Sequence, residues 1–367
     1  MSVPGLPLPE LWEVIIGFIP PLLNDLNTVS LVCRSFSSPA QRRLFNEITI
    51  GDHRFGEIDG VHPLEPRARR LIDVLNESPH LIAYIRSLRI YSGSQAAYRA
   101  LGTISWSHLI NLTFEFTPPW SALADIQKLV RTPSLRSLHT YYDEQEWSEE
   151  ALFGVLSCCS ENLEELELEI IADETSSFRG PELPRLRPVL RSLTLGTDGP
   201  LPDFIHEAFD LTRLRSLSWH GSRSTALDRL FLRYGSTVEI LILPGGLSAN
   251  PHANFNFGRS FTSLTYLQVK FTYNCFDAIN ETLAHLSPSN CLATLRFDIL
   301  AALIHDYNFK PWATEFEDIT LARLGALRRL EMAFVPKYIP GDEQDSPELF
   351  RPFFPRLDEK DLLFLCV

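Results

Sequence analysis

From Ile85 onward the chain repeats a six-residue phrase in which positions one, four and six are mostly apolar and the rest vary. It reads IRSLRI at Ile85, LINLTF at Leu109, LRSLHT at Leu135, LEELEL at Leu163 and LRSLTL at Leu190. It continues as LRSLSW at Leu214, VEILIL at Val238, LTYLQV at Leu264, LATLRF at Leu292 and LRRLEM at Leu327, with successive starts 24 to 35 residues apart. Alternation at positions four and six has the period of a strand with one buried face. Between phrases the apolar spacing turns helical, as in RARRLIDVLN from Arg67, SEEALFGVLSCC from Ser148, TALDRLFLRYG from Thr225 and CFDAINETLAHL from Cys275. The pattern predicts a strand and a helix repeated about ten times. One such unit cannot bury both its faces, but parallel strands stacked side by side with helices outside share one core.

The first 47 residues follow another rhythm. Leu8-Pro9 forces an extended start, and Pro9 suits a first helical turn. Leu11, Ile15, Ile16, Phe18 and Ile19 make an apolar stripe that Pro20-Pro21 ends. A second helix is expected after Asn24-Asp25, carrying Leu26, Val29, Leu31, Val32 and Cys33, and a third restarting at Ser37-Ser38-Pro39 with Ala40, Leu44 and Phe45 inward. About 40 residues so rich in Leu and Ile leave more apolar surface than they can bury alone, which points to a covering partner. NEITI around Ile48 reads as a first strand, KYIPGDEQDSPELFRPFFPRL as a loop and the closing LLFLCV as a last strand.

The order LPLPEL, a following II pair, Asp25-Leu26, SLVCRSF and LF resembles the F-box, the module that binds the Skp adaptor of cullin-RING ubiquitin ligases. The repeats resemble the leucine-rich repeats of F-box proteins. The two resemblances together imply an α/β fold in which a three-helix F-box (5–47) leads through a connecting strand, loop and helix (48–80) into a leucine-rich-repeat solenoid (81–335), a curved parallel sheet with outer helices, and a C-terminal loop and capping strand (336–367). Carried over by position, the adaptor-binding residues are Leu8, Pro9, Leu11, Ile16, Leu31, Val32 and Cys33, with Phe36 and Phe45 internal. The implied function is substrate recognition for a Skp–cullin–F-box ligase, whose partners are the Skp adaptor, through it cullin, and a protein substrate. The rival reading is an interaction scaffold whose helical hook only caps the repeats. The asparagine that such repeats carry just after each strand is missing here.

Composition narrows the alternatives. A net charge of −13 opposes binding to a phosphate backbone, so nucleic acid is not an expected partner. No apolar run approaches the roughly 18 residues of a membrane span, and MSVPGLPLPELW lacks a basic leader, so no membrane partner and a cytoplasmic or nuclear location are expected. The six cysteines form no CxxC pair and the histidines show no metal spacing, so neither metal nor cofactor is expected. Phosphate-binding glycine loops and nucleophile elbows are absent from the sequence, which points away from an enzyme.

If the repeated leucines face the core, the residues between them line the opposite face. On it, Glu165, Glu167 and Glu169 place three like charges on one strand, a repulsion that a cationic partner would relieve. Ile240 and Ile242 expose β-branched side chains beside Tyr266, with His139, Tyr141 and His220 also facing out. These nine residues are the expected substrate-binding set, because exposed apolar and aromatic groups anchor interfaces.

Overall fold

The computed structural model describes residues 28, 34–50, 64–91, 95–115, 118–143, 147–171, 187–197, 205–220, 225–244, 260–270, 280, 283–284, 286, 290–300, 309–335 and 351–366. The fold is α/β, with a 12-stranded sheet whose strands lie in chain order, β1 to β12. The chain forms two compact units, residues 1–168 with 180–188 and residues 169–179 with 189–367.

In the first unit, α1 (Arg34–Phe45) leads into β1 (Glu47–Ile50), followed by α2 (Leu64–Glu77), a 3-10 turn (Pro79–Tyr84), β2 (Ser87–Ile90), α3 (Gln95–Leu101) and β3 (Asn111–Phe114). Then come α4 (Leu123–Val130), β4 (Ser137–Asp143), α5 (Glu149–Leu156) and the start of β5 (Glu165–Ile171). β1, β2, β3 and β4 pair in parallel, Ile48 beside Leu88 and Leu88 beside Leu112, which stands beside Leu138. The phrase positions Ile85, Leu88, Ile90, Leu109, Leu112, Phe114, Leu135 and Leu138 are all buried. α5 starts where Ser148 caps it, its hydroxyl accepting from the Ala151 amide at 3.3 Å, with Glu149 and Glu150 in the first turn beside the positive end of the helix dipole.

One hydrogen-bonding unit recurs at the start of most strands. The Asn46 carbonyl accepts from the Arg86 and Ser87 amides at 2.9 and 3.0 Å. The Arg86 carbonyl accepts from Ile110 and Asn111, the Ile110 carbonyl from Arg136 and Ser137, and the Arg136 carbonyl from Glu164 and Glu165. Each junction thus satisfies two backbone donors with one acceptor and fixes in register the residue ahead of the strand it opens. The missing asparagine has a counterpart before the strand. Ser134 donates to the Leu109 carbonyl at 2.8 Å, and the Asn162 amide donates to the Pro133 carbonyl at 2.9 Å, each reaching back one repeat.

In the second unit the remainder of β5 precedes β6 (Ser192–Thr197), α6 (Ile205–Ala208), β7 (Ser216–Trp219), α7 (Thr225–Tyr234), β8 (Ile240–Pro244), β9 (Tyr266–Lys270) and β10 (Thr294–Leu300). α8 (Phe309–Arg323), β11 (Arg329–Val335), α9 (Pro355–Asp358) and β12 (Leu363–Cys366) complete it. Strands β6 to β12 pair in parallel, with phrase beside phrase: Leu217 with Leu241, Leu241 with Leu267, Leu267 with Leu295 and Leu295 with Leu330. The paired-amide junction recurs on the carbonyls of Arg191, Arg215, Glu239, Thr265 and Ala293. Ser263 repeats the backward reach, donating to the Ser236 carbonyl at 2.8 Å, whereas Asn290 reaches forward one repeat to the Arg323 carbonyl at 2.9 Å. Gly235 is required by close approach, since a Cβ there would stand 2.7 Å from the Ser260 carbonyl oxygen. The longest interval, before β11, holds the 15-residue α8, whose Trp312 and Phe316 stack at 5.1 Å while Phe316 meets Phe297 and Phe354 edge-on.

Two expectations need correction. The helix expected to restart at Ser37 runs from Arg34 through Pro39 to Phe45. A proline forfeits one ladder bond, and this helix is held instead by packing on the 3-10 turn, with Ala40 buried, Ser38 Oγ 3.4 Å from the Tyr84 hydroxyl and Arg42 over the Tyr84 ring. The segment read as loop up to Leu357 is described from Arg351, where it is ordered into α9. Phe354 and Leu357 are buried, and the Glu317 carboxylate accepts from the Arg356 and Leu357 amides at 2.8 and 2.9 Å, capping the helix from a neighbouring element. NEITI and LLFLCV do form the first and last strands. The helix read from Cys275 falls largely outside the described residues. Among the described residues, no helix is long and apolar enough to cross a membrane.

Candidate protein-interaction face

Strand side chains alternate, so burying each phrase presents the intervening residues on the other side of the sheet. The division is sharp between neighbours: Ile240 is 39% exposed and Leu241 is 0% exposed. Register then decides which of the presented side chains meet.

In the first unit, Ser87, Asn111 and Ser137 form one row and Arg89, Thr113 and His139 the next. Arg89 lies 3.4 Å from the Glu115 carboxylate, and its bond to the Tyr91 hydroxyl holds the guanidinium more firmly cationic. His139 Nδ1 is 3.5 Å from Glu167 Oε2. Tyr141 is half-buried beyond it, and Glu165 is exposed at the start of β5, next to Glu164, which accepts from Arg136 at 2.8 Å. Of the expected site residues this unit carries His139, Tyr141, Glu165 and Glu167. Its character is acidic and loosely held.

In the second unit, Glu169 is exposed, with Gly196 alongside it so close that a Cβ would stand 3.3 Å from its Cγ. His220 is exposed, and its Nε2 lies 3.0 Å from the Ser218 hydroxyl. Ile240 stands beside Tyr266, and Ile242 beside both Ser218 and Gln268. The expected apolar group of Ile240, Ile242 and Tyr266 is therefore contiguous.

A polar chain crosses the strands next to it. The Tyr266 hydroxyl donates to Gln268 Oε1 at 3.1 Å, and Gln268 Nε2 donates to Asp298 Oδ2 at 2.6 Å. Arg296 donates to Asp298 Oδ1 at 2.8 Å and to Glu331 Oε2 at 3.4 Å. Arg329 closes on Glu331 at 2.6 Å and lies over the exposed Phe364 ring at 4.6 Å. Burial pushes the Tyr266 phenol up, Arg296 opposes this, and Glu331 and Asp298 add to it. The bond to Asp298 reinforces the charge on Arg296.

No protein-family profile matches the chain, and no curated protein matches it. The expected adaptor-binding residues Leu8, Pro9, Leu11, Ile16, Leu31, Val32 and Cys33 lie outside the described residues. Sequence reasoning placed Gln268, Arg296, Asp298, Arg329 and Glu331 on the right face but did not select them as a site. Their signal lay in alignment: written phrase under phrase, Gln268, Arg296 and Glu331 fall in one column of complementary groups.

Proposed function

We propose that the chain is the substrate-recognition subunit of a Skp–cullin–F-box ubiquitin ligase, holding a protein substrate on the strand face opposite its buried phrases. The observation that carries the binding half is the alternation of burial, which on most strands leaves a row of side chains outside the core, buried Ser218 on β7 being an exception. The ligase half rests on the F-box resemblance of the Leu6 to Phe45 segment. Such a subunit acts by raising effective concentration, bringing a bound protein near a ubiquitin-charged enzyme. The acidic β5 disfavours a phosphate-bearing substrate segment at that strand.

The test is calorimetric titration of the full chain with the Skp adaptor. Binding is expected, and Leu8→Ala with Pro9→Ala should weaken it while the repeats stay folded, because a buried apolar anchor of this size is worth roughly 1.5–3 kcal/mol. An intact chain that does not bind the adaptor would leave the scaffold reading in its place.

A further inference from the structure

Among the described residues on the presented face of β8 to β11, every charged side chain but one is paired. Asp298 has both carboxylate oxygens occupied, by Gln268 and by Arg296, and Glu331 is shared between Arg296 and Arg329. Lys270, one of only five lysines in the chain, is exposed at the end of β9 with no ion pair among the described residues. It sits in register between Pro244 and Asp298, two residues beyond Gln268. The face of β8 to β11 thus presents three cations, Lys270, Arg296 and Arg329, against two carboxylates, in a chain whose net charge is −13.

We infer that this face takes an extended segment of a partner protein that presents an apolar side chain and, two residues further on, a carboxylate. The inference rests on the proposed binding role of the face and names the chemistry of its substrate. Ile240, Tyr266 and Ile242 form the apolar seat, with Ile240 39% exposed. The Tyr266 ring is held by its bond to Gln268, and Gln268 by Asp298, so little side-chain freedom is lost when a partner lands on them. A strand rises about 3.3 Å per residue, so the Lys270 backbone lies roughly 7 Å further along than the level of Ile242 and Gln268, which sets the two-residue spacing. Asp298 is bonded to Gln268 and Arg296 and forms no ion pair with its register neighbour Lys270, so the ammonium is left to an incoming anion. An incoming lysine at that position would meet the like charge of Lys270, so the face disfavours basic segments as well as accepting acidic ones.

The experiment uses the full chain on an immobilised array of nonapeptides. A central leucine is fixed, the residue two positions on is Asp, Asn or Lys, and the other positions are Gly and Ser. Peptides with Asp should be retained about threefold to fivefold over Asn, the range of an exposed ion pair, with Lys below both. Lys270→Glu should invert that order and Ile240→Asp should remove retention of all three. Both changes are on exposed side chains, so melts should match the parent; should either fail to fold, Lys270→Gln and Ile240→Ser replace them. Retention blind to charge, or an order unchanged by Lys270→Glu, overturns the proposal. So does light scattering that shows Ile240→Asp abolishing self-association of the chain, since the seat would then belong to a second copy. Loss of adaptor binding with the peptide order intact sinks the ligase reading and leaves this one standing, whereas adaptor binding with no peptide retained does the reverse.

Discussion

The strand faces of the two units are made by the same alternation and carry opposite chemistry. In the first unit the presented charges meet in small, separate contacts: Arg89 with Glu115, and His139 with Glu167 at 3.5 Å. In the second they are joined laterally, from Tyr266 through Gln268, Asp298, Arg296 and Glu331 to Arg329 over Phe364, beside an apolar group. The backbones beneath are alike, with the same paired-amide junctions and the same buried phrase positions. Most residues between two phrase positions lie outside the core, so their identity can change with less disturbance of the fold than a phrase position allows. What separates the faces is whether side chains in one row complement their neighbours across the strands, which determines how rigid each face is before anything binds.

The sharpest way to break the comparison is to invert the alternation on which both faces depend. Leu166→Asp in the first unit and Leu241→Asp in the second should each unfold or severely destabilise their unit, by more than about 4 kcal/mol in urea titration, because an unpaired carboxylate would be buried. Ile240→Asp should cost less than about 1 kcal/mol, as its side chain is already in water. Equal losses for Ile240→Asp and Leu241→Asp would mean the presented face is the core.

Next in size is the lateral network. Asp298→Ala strips Gln268 and Arg296 of their shared acceptor in a half-buried setting and should cost about 1–2 kcal/mol at low salt, measured by thermal melts. A loss within error would show the second face to be as loosely held as the first.

Tyr98 gives a pH-dependent contrast from within the first unit. It is fully buried against Phe114, its hydroxyl has no hydrogen-bond partner among the described residues, and burial raises its ionisation well above the ordinary tyrosine value. The unfolded phenol loses its proton near pH 10 while the folded one keeps it, so stability is full below pH 10 and falls above it, by about 1.4 kcal/mol per pH unit. Tyr98→Phe should be near neutral at pH 7 and should flatten that alkaline decline in urea titrations. An unchanged slope between pH 10 and 11 would place the hydroxyl in contact with solvent.

The smallest effect is expected at the loosely held face itself. Glu167→Ala removes the carboxylate beside His139 and should change stability by no more than about 0.5 kcal/mol, since both side chains are partly in water. A loss comparable with that of Asp298→Ala would erase the distinction between the faces.

Much of this was legible in the chain. The alternation at positions four and six assigns Leu241 inward and Ile240 outward, and it brings Ile240 and Tyr266 together because neighbouring phrases pair in phase. Helix ends were less legible. α1 runs through Pro39 because packing on Tyr84 outweighs the ladder bond lost there, and α9 forms from a proline-rich segment because Glu317, about 40 residues earlier, supplies its cap. Neither cause is local, so periodicity could not display it. The selection of site residues followed exposed apolar groups and like charges. It passed over Arg296 and Asp298 because, within a single strand, an Arg two residues from an Asp looks like ordinary solvated polarity. The bonds that join them to Gln268 and Glu331 exist only across strands.

The paired-amide junction bears also on how such a chain can lengthen. Each junction asks only for one carbonyl on one side and two consecutive amide hydrogens on the other, and these are backbone groups that every residue except proline possesses. The spans from accepting carbonyl to donating amides range from 24 to 40 residues without altering the seam, one of 35 accommodating all of α8. A duplicated interval would therefore arrive with both of its seams already compatible with its neighbours, whatever side chains it brought. The array can gain or lose strands by copying whole intervals, and each new strand would add a fresh row of presented side chains for selection to shape.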